Sequence, residues 1–253
     1  MSQKMLNSLD GNAYEDFPEY YDLLYQRYFK SVPKFISLIE TETKKGWKLL
    51  EIAAGTGEVV IPLLEDGYDV TSFDLNEGML KELQKKASIK GLAAKVIHGD
   101  MNEIDFLEAF DLIYMRQSIN YFLGENNLQN GLKKINRALK PGGKFIFNAP
   151  NFRKEQPDYP VVKNIYEYGD RYAFVLETNE LDGRILKHAQ DSIVWKDGGQ
   201  PRYIKDSNDF YMYTKEEFDK SLEKAGFPER KILGGDLRVY KEDSKTIYGV
   251  AKK

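Results

Sequence analysis

The run Leu49-Leu50-Glu51-Ile52-Ala53-Ala54 passes into Gly55-Thr56-Gly57 and becomes apolar again at Val59-Val60. It predicts a buried strand that enters a glycine turn and opens a helix, with one carboxylate inside the strand. Gly55 and Gly57 carry no β-carbon, so the backbone can turn sharply and a ligand can approach its amides at the helix N-terminus. Strands and helices then alternate from Trp47 to Ala149, with Tyr68 to Phe73, Lys95 to His98, Phe110 to Tyr114 and Lys144 to Phe147 reading as strands. Asn76 caps a helix that carries Met79, Leu80, Leu83 and Ala87 on one face and stops at Gly91. Leu128, Leu132, Ile135 and Leu139 mark another before Pro141. Near the C-terminus Thr214 and Glu217 form a capping-box pattern before Phe218, Leu222 and Ala225, with Gly226 as the stop. Strand-like segments follow at Lys231 to Leu233 and Thr246 to Ala251. The order predicts an α/β fold: a parallel sheet covered on both faces, its ligand at the carboxyl ends of the strands.

The first turn departs from the G-x-G-x-x-G fingerprint of dinucleotide-binding folds, because Val60 stands where the third glycine would let helix pack on strand. Glu51, four residues before Gly55, ill suits a pyrophosphate and better suits a cationic ligand. Written Glu51-x-Ala53-x-Gly55-x-Gly57, the stretch resembles the first motif of the class I S-adenosylmethionine-dependent methyltransferases. Further segments resemble that family in order: Asp74 and Leu75, seventeen and eighteen residues past Gly57; Gly99-Asp100-Met101; Met115-Arg116-Gln117-Ser118; and Leu139-Lys140-Pro141-Gly142-Gly143. The likeness covers about Tyr20 to Pro150 well and Thr214 to Lys253 more loosely. It implies a Rossmann-like, doubly wound, seven-stranded sheet, mostly parallel with an antiparallel last strand, and S-adenosyl-L-methionine as cofactor. It also implies roles: Glu51 neutralises the ammonium end of the cofactor, Asp74 holds ribose, Leu75 lies against adenine and Asp100 accepts from the adenine amino group. Ala53, Met79 and Met101 border the cofactor, and Gly55 and Gly57 let it lie close.

Pro18-Glu19-Tyr20-Tyr21-Asp22-Leu23-Leu24-Tyr25 resembles the helix start that folds over the cofactor in many small-molecule methyltransferases, with Tyr21 near the methyl group. Arg27 is a candidate for a bidentate pair with the cofactor's carboxylate. The alternatives are amphipathic packing for Tyr20, Tyr21 and Tyr25, and a solvated charge for Arg27. Arg116, Gln117 and Asn120 follow the fourth strand, where the family holds residues near methyl group and substrate. Arg116 therefore joins the cofactor set, and Tyr21, Asn120 and His188 are the catalytic candidates. No Asn-Pro-Pro-Tyr-like run stands there, which argues against base methylation of that type. His188 shares a strand face with Leu186, Gln190 and Ser192 and could take the proton of an attacking amine. The other reading is a satisfied surface histidine. His98 reads as structural. The chemistry implied is an in-line displacement that relies on alignment and desolvation and requires no metal.

Between Pro150 and Tyr213 lies a segment that the core fold does not require. Arg171 to Glu180, Arg184 to Trp195 and Tyr203 to Tyr213 read as strands, with turns at Asp182-Gly183 and Asp197-Gly198-Gly199. An antiparallel sheet of about three strands is predicted. It is rich in rings: Phe152, Tyr159, Tyr166, Tyr168, Tyr172, Phe174, Trp195, Tyr203, Phe210, Tyr211 and Tyr213. They would pack so small a sheet on the main domain or on another subunit, or hold a cationic amine by cation–π attraction. The expected organisation is a helical segment over the cofactor site at 1–45, a methyltransferase core at 46–150 and 214–253, and the insertion at 151–213 as substrate cap or interface.

Composition narrows the partners. The chain of 253 residues can bury a full core. It lacks cysteine, which excludes disulfides, thiol catalysis and thiolate metal sites. His98 and His188 are the only imidazoles, so no metal is expected. A net charge of -3 lacks the basic footprint of most nucleic-acid binders. No apolar run approaches the ~20 residues of a membrane span, and Met1 to Asp10 show no signal-peptide pattern, so a cytoplasmic protein without nucleic-acid or membrane partners is expected. The function expected is methyl transfer to an amine or hydroxyl of a small molecule, the insertion resembling those of sugar-amine N-methyltransferases and the glycine N-methyltransferase group, with a homodimer through the insertion as an option. The alternatives are a nicotinamide-dependent oxidoreductase and a noncatalytic cofactor-binding or assembly protein.

Overall fold

The computed structural model describes residues 13–152 and 161–253, so Tyr159 and the Met1 to Asp10 segment lie outside the described residues. The elements in order are α1 (Ala13–Tyr25), a 3-10 segment (Gln26–Ser31), α2 (Val32–Glu42), β1 (Lys48–Ile52), α3 (Val60–Glu65), β2 (Asp69–Asp74), α4 (Glu77–Ile89) and β3 (Lys95–His98). A 3-10 turn (Met101–Glu103) leads to β4 (Phe110–Arg116), and another (Ile119–Tyr121) to α5 (Glu125–Ala138) and β5 (Leu139–Pro150). Then come β6 (Val162–Tyr168), β7 (Arg171–Asp182), β8 (Ile185–Lys196), β9 (Arg202–Tyr211), α6 (Lys215–Lys224), β10 (Glu229–Leu233) and β11 (Thr246–Lys252). The chain divides into two compact units, one of residues 31–156 and 211–253, the other of residues up to 30 and 157–210.

The larger unit is a seven-stranded sheet in the order β10-β11-β5-β4-β1-β2-β3. β1, β2, β3, β4 and β5 run parallel, and β11 is antiparallel to both of its neighbours. This is the Rossmann-like, doubly wound sheet with the antiparallel last strand that the sequence resemblance implied. Leu49, Leu50 and Ile52 of β1 and Leu112 to Met115 of β4 are fully buried, as expected of central parallel strands covered on both faces. Local capping agrees with the sequence: Asn76 Oδ1 accepts from the Met79 amide at 3.1 Å, and Thr214 and Glu217 close a reciprocal capping box on α6.

The glycine turn opens a helix as expected, a short one that starts at Val60 and whose Ile61 amide donates back to the Gly57 carbonyl at 2.9 Å. Two expectations are corrected. Leu139 does not end the α5 stripe; it is extended and opens β5, where a bulge against β4 absorbs Lys140 to Gly143 before regular pairing resumes at Lys144. Pro18 lies inside α1 rather than at its start.

The smaller unit is a four-stranded antiparallel sheet, β6-β7-β8-β9, with α1 packed on it through Tyr20, Leu23 and Leu24 against Ala173, Val175, Val194 and Ile204. The sequence gives three of those strands. The fourth, β6, is an edge strand that alternates half-buried and exposed residues, and its polar Lys163, Asn164 and Glu167 hide the period. The core is more aliphatic than the ring count suggested, and Tyr168 and Phe174 are exposed.

Gly249 of β11 pairs directly with Phe147 of β5, and a β-carbon there would enter the Phe147 ring. Phe147 is fully buried and packs against the rings of Phe145 and Phe218, which restrict its movement. Gly249→Ala is therefore expected to lower stability by about 1–3 kcal/mol, read as a fall in thermal midpoint. An unchanged midpoint would show that the ring repacks freely.

Candidate active site

In the larger unit the chain leaves β1 through three residues in the left-handed region: Ala53 at φ 58°, Gly55 at 54° and Gly57 at 86°. A β-carbon on Gly57 would stand 2.7 Å from Leu83 Cγ of α4, so this position needs glycine for both backbone hand and close approach. Asp74, the last residue of β2, accepts from the Gly55 amide through Oδ2 and from the Asn76 amide through Oδ1, each at 2.8 Å. Burial raises its pKa, and those amide bonds oppose the rise.

Glu51 is 2% exposed and lies between its register partners Ser72 of β2 and Tyr114 of β4. Burial pushes its carboxyl well above the ordinary range, with the charge of Glu58 adding to the rise and Tyr114 and Arg116 opposing it. Its Oε2 is buried without a hydrogen-bond partner in the protein. Arg116, at the end of β4, forms an ion pair with Glu58, and its Nη2 donates to Ser31 Oγ at 3.1 Å. The guanidinium thus stands as the counter-charge of Glu58. The cluster around the turn holds Glu51, Glu58 and Asp74 against Arg116, an excess of acid that suits a ligand ending in a cation.

The other residues of this unit line up as follows. Asp100 caps the 3-10 turn through Oδ1, which accepts from the Asn102 amide at 2.7 Å and from its Nδ2 at 2.9 Å. Met101 opens that turn half-buried, Met79 is buried in α4, and Leu75 is 66% exposed. His98 Nε2 meets the Leu75 carbonyl at 2.8 Å, the structural part expected of it. Gln117 takes a left-handed turn at φ 54°, and its amide donates to Asn148 Oδ1 at 2.9 Å. Asn120, 1% exposed, donates Nδ2 to the Tyr211 carbonyl at 2.6 Å and leaves Oδ1 buried without a partner.

In the smaller unit Tyr21 stacks on Tyr25 with ring centroids 4.8 Å apart and meets Phe17 edge-on. Arg27 is not a solvated charge: it forms an ion pair with the fully buried Glu177, and its Nη2 donates to Tyr28 Oη at 2.5 Å. His188 is 7% exposed, which sets aside the surface histidine. Its Nδ1 faces Asn179 Oδ1 at 3.0 Å, so that nitrogen carries the proton and Nε2 keeps its lone pair, buried without a partner. Burial lowers the His188 pKa, which keeps the ring neutral. Glu58, Ser31, Tyr114, Asn179 and Glu177 escape sequence reasoning because register and turn geometry, rather than spacing along the chain, bring them to their partners. Only Glu58, next to Gly57, carried a local signal.

Comparison with known proteins fits this geometry. Residues 49–143 match the family model described as a methyltransferase domain. The demethylmenaquinone methyltransferase of Staphylococcus aureus (strain JH9) is 29% identical over 218 residues, 80% of this chain and 79% of the relative. Among solved structures, an S-adenosylmethionine-dependent methyltransferase from Clostridium acetobutylicum ATCC 824 has a TM-score of 0.77 at 21% identity, covering 95% of this chain and 99% of that one. The sugar N-methyltransferase KedS8 from Streptoalloteichus sp ATCC 53650 has a TM-score of 0.72 at 20% identity, covering 90% and 93%. The resemblance read from the motifs thus has its counterpart in a methyltransferase-domain family model that matches Leu49 to Gly143. No helix among the described residues is long and apolar enough to cross a membrane.

Because the folded state raises the Glu51 pKa above its unfolded value, this group favours the fold at low pH and opposes it increasingly as pH rises from the ordinary carboxylate range through the raised pKa. Glu51→Gln should therefore be more stable than the parent without ligand by about 1–3 kcal/mol at neutral pH, with the gap closing in acid. Thermal melts across pH check this. A gap that widens in acid would refute the assignment.

Proposed function

We propose that the chain is an S-adenosylmethionine-dependent methyltransferase that acts on a small molecule, with an amine nitrogen as the acceptor. The observation that carries the cofactor reading is Glu51: a carboxylate inside a buried strand, with an orphan oxygen beside a left-handed glycine turn, suits a ligand's ammonium group and ill suits a pyrophosphate. Asp74 supports it, because the amides of Gly55, Leu75 and Asn76 use only part of its acceptor capacity and leave room for a ribose hydroxyl. Asp100 keeps its second oxygen for the adenine amino group, and the exposed Leu75 offers a face for the base. Ala53, Gly55 and Gly57 shape the backbone against the cofactor, Met79 and Met101 back it, and Arg116 steadies the acidic cluster. When bound, S-adenosylmethionine supplies a methyl group already activated on a sulfonium.

The chain's own task is then to align the acceptor and to receive its proton. An amine must lose a proton in the reaction, and His188 fits that part: neutral, tautomer set by Asn179, with Nε2 unused. Asn120, through its orphan Oδ1, would orient an N–H, Tyr21 would shield the methyl group from water, and Arg27 would hold Glu177. The similarity to a sugar N-methyltransferase favours nitrogen over oxygen.

Calorimetric titration separates the cofactor readings. S-adenosylmethionine is expected to bind and NAD not, with Asp74→Ala weakening the former about tenfold or more. Binding of NAD alone would overturn the proposal. Release of S-adenosylhomocysteine with matched amines and alcohols tests the acceptor, and turnover of alcohols alone would move the assignment to oxygen.

A further inference from the structure

Glu51 has a neighbour that packing alone does not explain. β1 lies between β2 and β4, and the register sets Glu51 beside Ser72 on one side and Tyr114 on the other. Register partners share a face, so the three side chains form one polar row across the middle of the larger unit's sheet. The cover of this row is apolar: Phe35 of α2 meets the Tyr114 ring edge-on at 6.2 Å and the Tyr248 ring at 6.3 Å. The charged groups that act on Glu51 are Glu58 beside Gly57, Asp74 at the end of β2 and Arg116 at the end of β4. The phenol of Tyr248 in β11 lies in the field of the same Arg116.

Tyr114 is fully buried, and its hydroxyl makes no hydrogen bond in the protein. Its strand neighbours Leu112, Ile113 and Met115 are apolar, and a phenylalanine would fill the Tyr114 space without burying an oxygen. A buried hydroxyl without a partner is a cost to the fold, so its presence calls for a use outside packing. The carboxyl beside it is in the same condition, with Glu51 Oε2 buried and unpartnered. Ser72 brings a second unpartnered hydroxyl from β2. Of the two, the longer Tyr114 is the one that acts on Glu51, favouring its ionised form.

An ammonium group held at Glu51 needs the carboxylate ionised, and burial, Glu58 and Asp74 all oppose that charge. Arg116 is committed to Glu58 and Ser31. Among the groups that act on Glu51, the donor left to steady its charge is Tyr114. A hydroxyl can turn its proton toward a carboxylate, and it bonds the charged form more strongly than the neutral one. We infer that Tyr114 is a positioning residue of the cofactor site, whose hydroxyl donates to the Glu51 carboxylate when a ligand's ammonium group is bound there and so fixes the direction and charge of that carboxylate. The inference rests on the S-adenosylmethionine reading and extends it to a residue that touches Glu51 rather than the cofactor.

The test is calorimetric titration of the parent chain and Tyr114→Phe with S-adenosylhomocysteine across a pH series. The ligand's own titration is common to both proteins. Affinity is expected to converge at the alkaline end, where Glu51 is ionised in both, and to fall away sooner on acidification in the variant. The pH of half-lost affinity should stand about one unit higher in Tyr114→Phe, equivalent to about tenfold weaker binding between the two midpoints. Methylthioadenosine, which has no ammonium group, should bind both proteins equally at every pH. Because the hydroxyl has no partner in the protein, Tyr114→Phe should melt within a few degrees of the parent or above it. Failure of this variant to fold would reveal a structural bond and overturn the inference. Coincident pH profiles overturn it too, as do a loss of affinity equal at every pH, weakened binding of methylthioadenosine, or an equal displacement in Ser72→Ala. If S-adenosylhomocysteine does not bind the parent at all, it is the cofactor reading that fails, and the inference falls with it.

Discussion

One carboxylate holds the exits of the first two strands in a fixed relation. Asp74 receives the amides of Gly55, which belongs to the turn after β1, and of Asn76, which caps α4. Asn76 in turn receives the Met79 amide, so a short segment fixes a turn, a strand end and a helix start together. Hydrogen bonds to an ionised acceptor contribute about 1.5–3 kcal/mol each, enough to offset much of the cost of burying the Asp74 charge. The left-handed conformations at Ala53, Gly55 and Gly57 are sustainable because their neighbours are tied down in this way. Ala53 is the telling case, since it adopts that conformation without the freedom of glycine.

Glu51 shows the opposite balance. It sits in the middle of the sheet, where every neighbouring backbone group is already paired, and its charge is opposed by burial and by Glu58. Arg116 relieves it only in part, because the guanidinium is committed to Glu58 and Ser31. A fold chosen for stability alone would set an aliphatic residue here, as it does at Leu50 and Ile52 on the same strand. The departure from local consistency is confined to one face at the carboxyl end of β1, the end where open α/β sheets take their ligands.

Much of this was legible in the sequence because it depends on neighbours along the chain. The glycine turn, the Asn76 cap, the Thr214 and Glu217 box and the central strands all follow from period and punctuation. What stayed hidden depends on register. Glu51 meets Tyr114 and Glu177 meets Gln190 because strands align, and no spacing in the chain announces either meeting. β6 was missed because an edge strand needs no apolar alternation to pair on one side. Leu139 was misjudged because a helical stripe and a buried strand start both ask for leucine, and the bulge that decides between them arises from pairing with β4.

The small sheet makes the same point at larger scale. β7 and β8 are long enough to serve two purposes on one face. Their halves nearest α1 bury Ala173, Val175 and Val194 under Tyr20, Leu23 and Leu24, and each large apolar side chain so buried contributes about 1.5–3 kcal/mol. Their other halves carry Glu177, Asn179, His188 and Gln190, and the unpaired atoms of Glu177, His188 and Gln190 withdraw a comparable amount. Since a slip of one residue would turn both sets to the opposite face, the apolar half also fixes the register that brings the polar atoms onto adjoining rungs. The core of this unit is therefore what orients its chemistry: the packing under α1 stabilises the sheet and, through strand register, determines which buried acceptors stand together.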